Sequence, residues 1–85
     1  MRLERTEQFA RDFASLPDPI KRRAEKQLRL LVENPRHPSL RIKKMAGVAD
    51  IWEGRITRGY RFTLQIKADA CTLRRIGAHD ILKTP

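Results

Sequence analysis

Three short segments near the end of the chain, "IWEGRI", "YRFTLQI" and "CTLRRI", are separated by the turn-forming stretches "TRG" and "KADA". Each segment follows a period of two, which places successive side chains on opposite faces of a strand, so residues 51–76 read as a β-meander. Tyr60, Phe62, Leu64 and Ile66 share one parity and are expected to face inward, with Arg61, Thr63 and Gln65 facing out. At 85 residues the chain buries only about 60 to 65% of its unfolded surface, too little for two cores. One domain spanning residues 1–85 is expected, with one sheet and helices on one side of it.

The register of the first hairpin follows from its turn. A three-residue loop of Thr57, Arg58 and Gly59 pairs Ile56 with Tyr60 and Gly54 with Phe62, keeping apolar partners together, whereas a two-residue loop sets Ile56 against Arg61. The longer loop puts Arg55 opposite Arg61 on the outward face. Like charges so placed cost roughly some tenths of a kcal/mol, which an anion between them offsets; two arginines splaying apart in water is the alternative. In the last segment Leu73 and Ile76 differ in parity, so both face the core only across a β-bulge, which would redirect Arg74, Arg75 or His79.

The first half changes period. "MRLERT" alternates weakly, as a first strand would, and Thr6 is placed to cap a helix whose Phe9, Phe13 and Leu16 form one stripe. Pro17 ends it. Asp18 and Pro19 read as the cap and first turn of a second helix with Ile20, Ala24, Leu28 and Leu31 inward, ended by "ENP". Its charged stretch "RRAEKQLR" reads as a solvated outer face. "NPRHPS" is a loop carrying an exposed His37, and "SLRIKKM" reads as extended, with Arg41 and Lys43 to one side, before "AGVAD" turns the chain.

Charge narrows the functional classes. Nineteen Lys and Arg stand against ten Asp and Glu, and of the net +9 only +2 belongs to residues 1–33. The other +7 lies in residues 34–85, as suits a polyanion such as nucleic acid or an acidic protein partner. Solubilising charge normally mixes its signs. A single cysteine, Cys71, excludes an internal disulfide and fits a reducing cytosol. "MRLERTEQFARDF" has no apolar signal core and the longest aliphatic run is "LLV", so a cytoplasmic protein with no membrane segment is expected. Two histidines, one cysteine and no carboxylate cluster provide no metal-ligand pattern, and no cofactor is expected.

The meander thus offers Arg55 and Arg61 on one face, Arg74 or Arg75 on the neighbouring strand and His79 where that strand ends, with Arg41, Lys43 and Lys44 at the rim. Metal-independent RNA cleavage needs a group that takes the 2′-hydroxyl proton, one that protonates the leaving 5′-oxygen, and cations for the phosphorane-like transition state. Histidine suits either proton step, since its ordinary pKa of about 6.5 lies near working pH. Arginine stays charged and forks onto phosphate oxygens. A non-catalytic RNA or acidic-peptide binder would show the same basic face, and a lone histidine at a strand end can equally be a turn residue.

The "W-E-x-R-I" strand, the "G-Y-R-F" strand after its turn and the closing "G-x-H-D", in that order, resemble the RelE/ParE superfamily of toxins from toxin–antitoxin modules over nearly the whole chain. The resemblance implies an α+β fold in which an N-terminal strand and helical hairpin pack on one face of a four-stranded, mainly antiparallel sheet with a basic concave surface opposite. RelE-like members, among them histidine-containing mRNA interferases, cleave messenger RNA, usually on the ribosome, leaving a 2′,3′-cyclic phosphate and a 5′-hydroxyl. By motif, Arg61 matches the phosphate-binding arginine and His79 the general acid or base; Arg55 and Arg75 are supporting cations by position. Two departures stand out. The end, "DILKTP", lacks the aromatic many members carry, and where some use a glutamate base this chain has Arg41, Lys43 and Lys44, leaving Glu53 as the spare carboxylate, a base or an arginine-orienting group.

The leading expectation is the toxin of a type II system, an endoribonuclease that inhibits translation. A ParE-like toxin acting on DNA gyrase without nuclease chemistry, or a catalytically silent binding module, are the alternatives. All three imply an antitoxin whose acidic or amphipathic segment covers the basic face in a hetero-oligomer.

Overall fold

The computed structural model describes residues 2–85. The chain runs β1 (Arg2–Arg5), α1 (Glu7–Ala14), α2 (Asp18–Glu33), a short 3-10 turn (Pro38–Leu40), β2 (Lys43–Lys44), β3 (Ile51–Arg55), β4 (Tyr60–Lys67), β5 (Ala70–Ala78) and a second 3-10 turn (His79–Lys83). The strands form one sheet in the order β1-β5-β4-β3-β2. β1 is parallel to β5 and every other pair is antiparallel. The expected α+β architecture is present with five strands rather than four, because Lys43 and Lys44 pair with Glu53 and Trp52 as a short edge strand.

Thr6 begins α1 as the sequence predicts: its Oγ1 accepts from the Phe9 N–H at 3.0 Å. The same hydroxyl donates to the Arg74 carbonyl at 2.8 Å, and the Thr6 N–H donates to the Leu73 carbonyl at 3.0 Å. One residue therefore ends the β1–β5 pairing and starts the helix. At α2 the expected cap shifts by one residue. Pro17 holds the cap position with no side-chain cap bond, and Asp18 is the first-turn acid, where it complements the helix dipole.

The stretch expected to be extended from Ser39 begins instead as the 3-10 turn, capped by His37, whose Nδ1 accepts from the Ser39 N–H at 3.2 Å. Arg41 then takes a left-handed conformation, φ 47°, which redirects the chain before β2.

The core lies between the helices and the inner face of the sheet. Phe9 of α1 and Ala24 and Leu31 of α2 meet Phe62, Leu64, Leu73 and Ile76 of the strands, joined by Ile56 just past β3 and by Leu16, which lies in the joint between the helices because α1 ends at Ala14, short of its expected reach. The predicted bulge is present. Thr63 pairs with Arg75 and Leu64 with Leu73, so Arg74 is the extra residue, and both Leu73 and Ile76 stay inward opposite Leu64 and Phe62. Ile66 departs from its expected inward role at 39% exposure, since it lies close to the β4–β5 turn at one end of the sheet. Thr63 departs in the other sense. It is fully buried on the outer face, where its hydroxyl donates to the Pro85 carbonyl at 3.1 Å.

Gly54 makes the β3–β4 crossing possible. A Cβ there would overlap the ring of Phe62, its cross-strand partner, and approach Ile42 Cδ1 to 2.9 Å. No helix among the described residues is long and apolar enough to cross a membrane.

Candidate functional site

Pairing sets two rows of side chains across the outer face. The first runs Lys43, Glu53, Thr63, Arg75; the second runs Arg55, Arg61, Gly77. The three-residue loop has the predicted register, and Arg55 stands opposite Arg61. At the β2 side these rows open into a cleft of about 370 Å³ lined by Arg41, Lys43, Glu53, Arg55 and Arg61, floored by Ile42 and Gly54. Five of the sequence-nominated residues therefore share one concavity.

Glu53 is the cleft's carboxylate. Its side chain is 13% exposed and its Oε1 lies 3.9 Å from Lys43 Nζ, a loose pair because the lysine is mostly in solvent. Arg55 is crowded by its own kind. Burial, then the charges of Arg41, Arg61 and Arg58, push its guanidinium below the usual arginine value. Its Nε is buried with no hydrogen-bond partner among the described residues. An anionic acceptor would partner that donor and offset the repulsion among the arginines.

Two features hold Arg55 and Arg61 in place. Arg61 Nη1 donates to the carbonyls of Thr57 at 2.6 Å, Arg58 at 2.8 Å and Tyr60 at 3.1 Å, which pins it to its own turn. Gln27, buried in α2, donates through Nε2 to the Arg55 carbonyl at 3.0 Å and the Ser39 carbonyl at 3.3 Å. Sequence reasoning passed over Gln27. Its signal was position, since it lies three residues after Ala24 and one before Leu28, on the inward stripe, where a polar side chain needs a buried partner.

The remaining nominees stand elsewhere. Lys44 pairs with Trp52 and so has the parity opposite to Lys43. Arg74 Nε donates to the Pro85 carbonyl at 3.2 Å. Arg75, expected to bind phosphate, is engaged by Asp12 of α1 at 2.8 Å and by Thr84 Oγ1 at 3.0 Å. These two were placed on the basic face by local sequence alone, which is blind to carboxylate and carbonyl partners brought in from distant segments. His79 opens the second 3-10 turn, exposed, two residues beyond the Gly77 that pairs with Arg61. It does not line the cleft. Ile81 of the same turn folds back over Gly77, where a Cβ would approach Ile81 Cγ2 to 2.9 Å.

A larger hollow, about 870 Å³, lies between β1, α1 and α2. Leu3, Phe9, Phe13 and Leu28 line it, with Glu4, Arg5, Glu25 and Arg29 beside them, and it holds no histidine, cysteine or hydroxyl nucleophile. Among the described residues no group of three or more His, Cys, Asp or Glu gathers in a way that could hold a metal ion. Cys71 is buried, which pushes its thiol up to about 11.

No protein-family model matches the chain, and no curated protein matches it by sequence. Solved structures do match in three dimensions. A chain of the RelB–RelE antitoxin–toxin complex from Methanococcus jannaschii superposes with a TM-score of 0.78 at 18% identity, covering 95% of each chain. YafQ from E. coli gives 0.78 at 15% identity over 96% of this chain and 98% of its own. A YoeB/ParE toxin from Agrobacterium tumefaciens gives 0.77 at 18% identity over 93% and 99%. The superpositions run nearly end to end on both chains in each case, and the fold of this protein is RelE-like.

Proposed function

We propose that the protein is the toxin of a type II toxin–antitoxin pair and an endoribonuclease that cuts messenger RNA. The observation that carries this reading is the cleft itself: three arginines, one with an unpaired buried Nε, around a single shielded carboxylate, on the outer face of a RelE-like sheet. In the reaction, the 2′-oxygen attacks the adjacent phosphorus and the bond from phosphorus to the 5′-oxygen breaks, giving a 2′,3′-cyclic phosphate and a 5′-hydroxyl. Arg61 and Arg55 hold the phosphate oxygens and stabilise charge that builds in the transition state. Glu53 takes the 2′-hydroxyl proton or orients the arginines. His79 donates the proton to the departing 5′-oxygen, a role supported by its place just past the strand position facing Arg61. Arg41 and Lys43 draw in the flanking backbone.

The partner is an antitoxin, as in the RelB–RelE and DinJ–YafQ complexes with the same fold. An acidic, amphipathic segment suits both the cationic cleft and the apolar hollow under the helical hairpin. The test is expression of the native chain and of His79→Ala and Arg61→Ala variants, with transcript 5′ ends mapped and folding checked by circular dichroism. Growth arrest with new internal 5′-hydroxyl ends, lost in both folded variants, is the expected result. Full cleavage by either folded variant removes that residue from the mechanism.

A nuclease-silent toxin acting on gyrase is the second reading, favoured by the pinned Nη1 of Arg61 and by His79 lying outside the cleft. Inhibited supercoiling with intact transcripts is its signature.

A further inference from the structure

A second cationic concavity lies on the other side of Arg55. It has a volume of about 520 Å³ between α2, the first 3-10 turn and the β3–β4 turn, and Arg55 lines both hollows. Arg23 and Lys26 enter it from α2, three residues apart on one helix face, and Arg58 from the turn. No Asp or Glu lines it. None of Arg23, Lys26, Arg55 and Arg58 takes part in an ion pair among the described residues, unlike Arg2, Arg11, Lys43 and Arg75. His37 contributes too. Its Nδ1 accepts from the Ser39 N–H, which leaves Nε2 as the ring nitrogen available to donate.

Four unpaired cations around one hollow repel one another and leave their donors to water, and Arg55 makes the hollow continuous with the cleft. We propose that this hollow is a second phosphate subsite, which holds the single-stranded RNA backbone beyond the phosphate seated at Arg61. The proposal rests on the ribonuclease reading of the cleft and extends it from a point of cleavage to a track. It also changes the role of part of "RRAEKQLR": Arg23 and Lys26 belong to the binding surface, while Arg22 and Arg29 remain outside this hollow.

The test is fluorescence anisotropy with labelled 2′-O-methyl RNA, which cannot be cut, as a dinucleotide and as an oligomer of about 12 nucleotides, a length within the range single-strand sites cover. The full chain is compared with an Arg23→Ala/Lys26→Ala double variant and with Arg58→Ala, all at exposed positions. The double variant is expected to bind the longer oligomer about tenfold more weakly, with the slope of log affinity against log salt reduced by about 1.4, two phosphate contacts at about 0.7 each. Dinucleotide binding stays unchanged. Equal affinity and slope for native and double-variant protein on the longer oligomer overturn the subsite. So does loss of binding to an oligoglutamate peptide with RNA binding intact, which assigns the hollow to an acidic protein. Cleavage of unmodified RNA is followed in parallel: its absence, with Arg23- and Lys26-dependent binding present, sinks the nuclease reading and leaves the subsite standing.

Discussion

Arg75 and Asp12 form a two-pronged ion pair, Nε to Oδ2 at 2.8 Å and Nη2 to Oδ1 at 3.2 Å, and Asp12 Oδ2 also accepts from the Ile76 N–H at 3.2 Å. α1 is thereby fastened along the part of β5 that β1 does not reach, since β1 pairs with β5 only as far as Leu73. An arginine that local sequence assigns to a ligand is committed to joining helix and sheet.

The pair makes stability depend on pH in a defined direction. Burial raises the Asp12 carboxyl, but hydrogen bonds from Arg75, Gln8 and the Ile76 N–H, with the Arg75 charge, hold it below its ordinary 3.8. The folded state therefore binds this proton less tightly than the unfolded chain. Its contribution is complete above the ordinary value and is lost as pH falls through the depressed folded value. Asp12→Asn is expected to lose about 2–3 kcal/mol at pH 7 by urea denaturation and to show a flatter stability profile than the native chain below pH 3.8. Parallel profiles would show that Asp12 does not titrate with folding.

Gly54→Ala places a methyl group within the ring of Phe62 and is expected to cost about 2 kcal/mol or more. Adding Phe62→Leu to that variant should recover part of the loss, although the same change alone destabilises the native chain. Simple additivity of the two losses would show that ring and glycine do not share the space.

Arg41 sits at φ 47° and lines the cleft. Arg41→Gly relieves the left-handed conformation by about 1 kcal/mol, which in a domain of this size raises the melting temperature by about 4–8 °C. RNA affinity falls in the same variant. A lower melting temperature would mean that the arginine is held there by contacts stronger than the strain.

Gln27→Leu leaves the Arg55 and Ser39 carbonyls without their side-chain donor. A loss of about 1–2 kcal/mol in stability is expected. Because Gln27 acts by placing Arg55, its effect on RNA affinity should nearly vanish in an Arg55→Ala background. An undiminished effect there would assign Gln27 a separate contact.

Glu53→Gln keeps the shape of the cleft and removes its carboxylate charge. Cleavage is expected to fall about 10²- to 10⁴-fold with RNA affinity unchanged or higher, whereas Arg11→Ala, in an exposed helical pair, leaves the rate alone. An unchanged rate for Glu53→Gln would leave the carboxylate only an orienting role.

The sequence by itself determined the features that depend on near neighbours. Parity and a three-residue turn settle the β3–β4 register, including Arg55 opposite Arg61, because a slip of one residue would turn every apolar side chain outward. The mismatch between Leu73 and Ile76 foretold the bulge, and Thr6 the start of α1, for equally local reasons. What each cation touches was decided only by tertiary structure. Asp12 meets Arg75 across 63 positions of chain, Gln27 meets Arg55 across 28, and Thr63 meets Pro85 across 22. A charge pattern says how many arginines a face carries, but whether each is free for a ligand depends on carboxylates and carbonyls that approach from elsewhere in the chain. That is why Arg41, Arg55 and Arg61 line the cleft, Arg74 meets the Pro85 carbonyl and Arg75 meets Asp12, and Arg23 and Lys26, which local pattern assigned to solvent, border a hollow of their own.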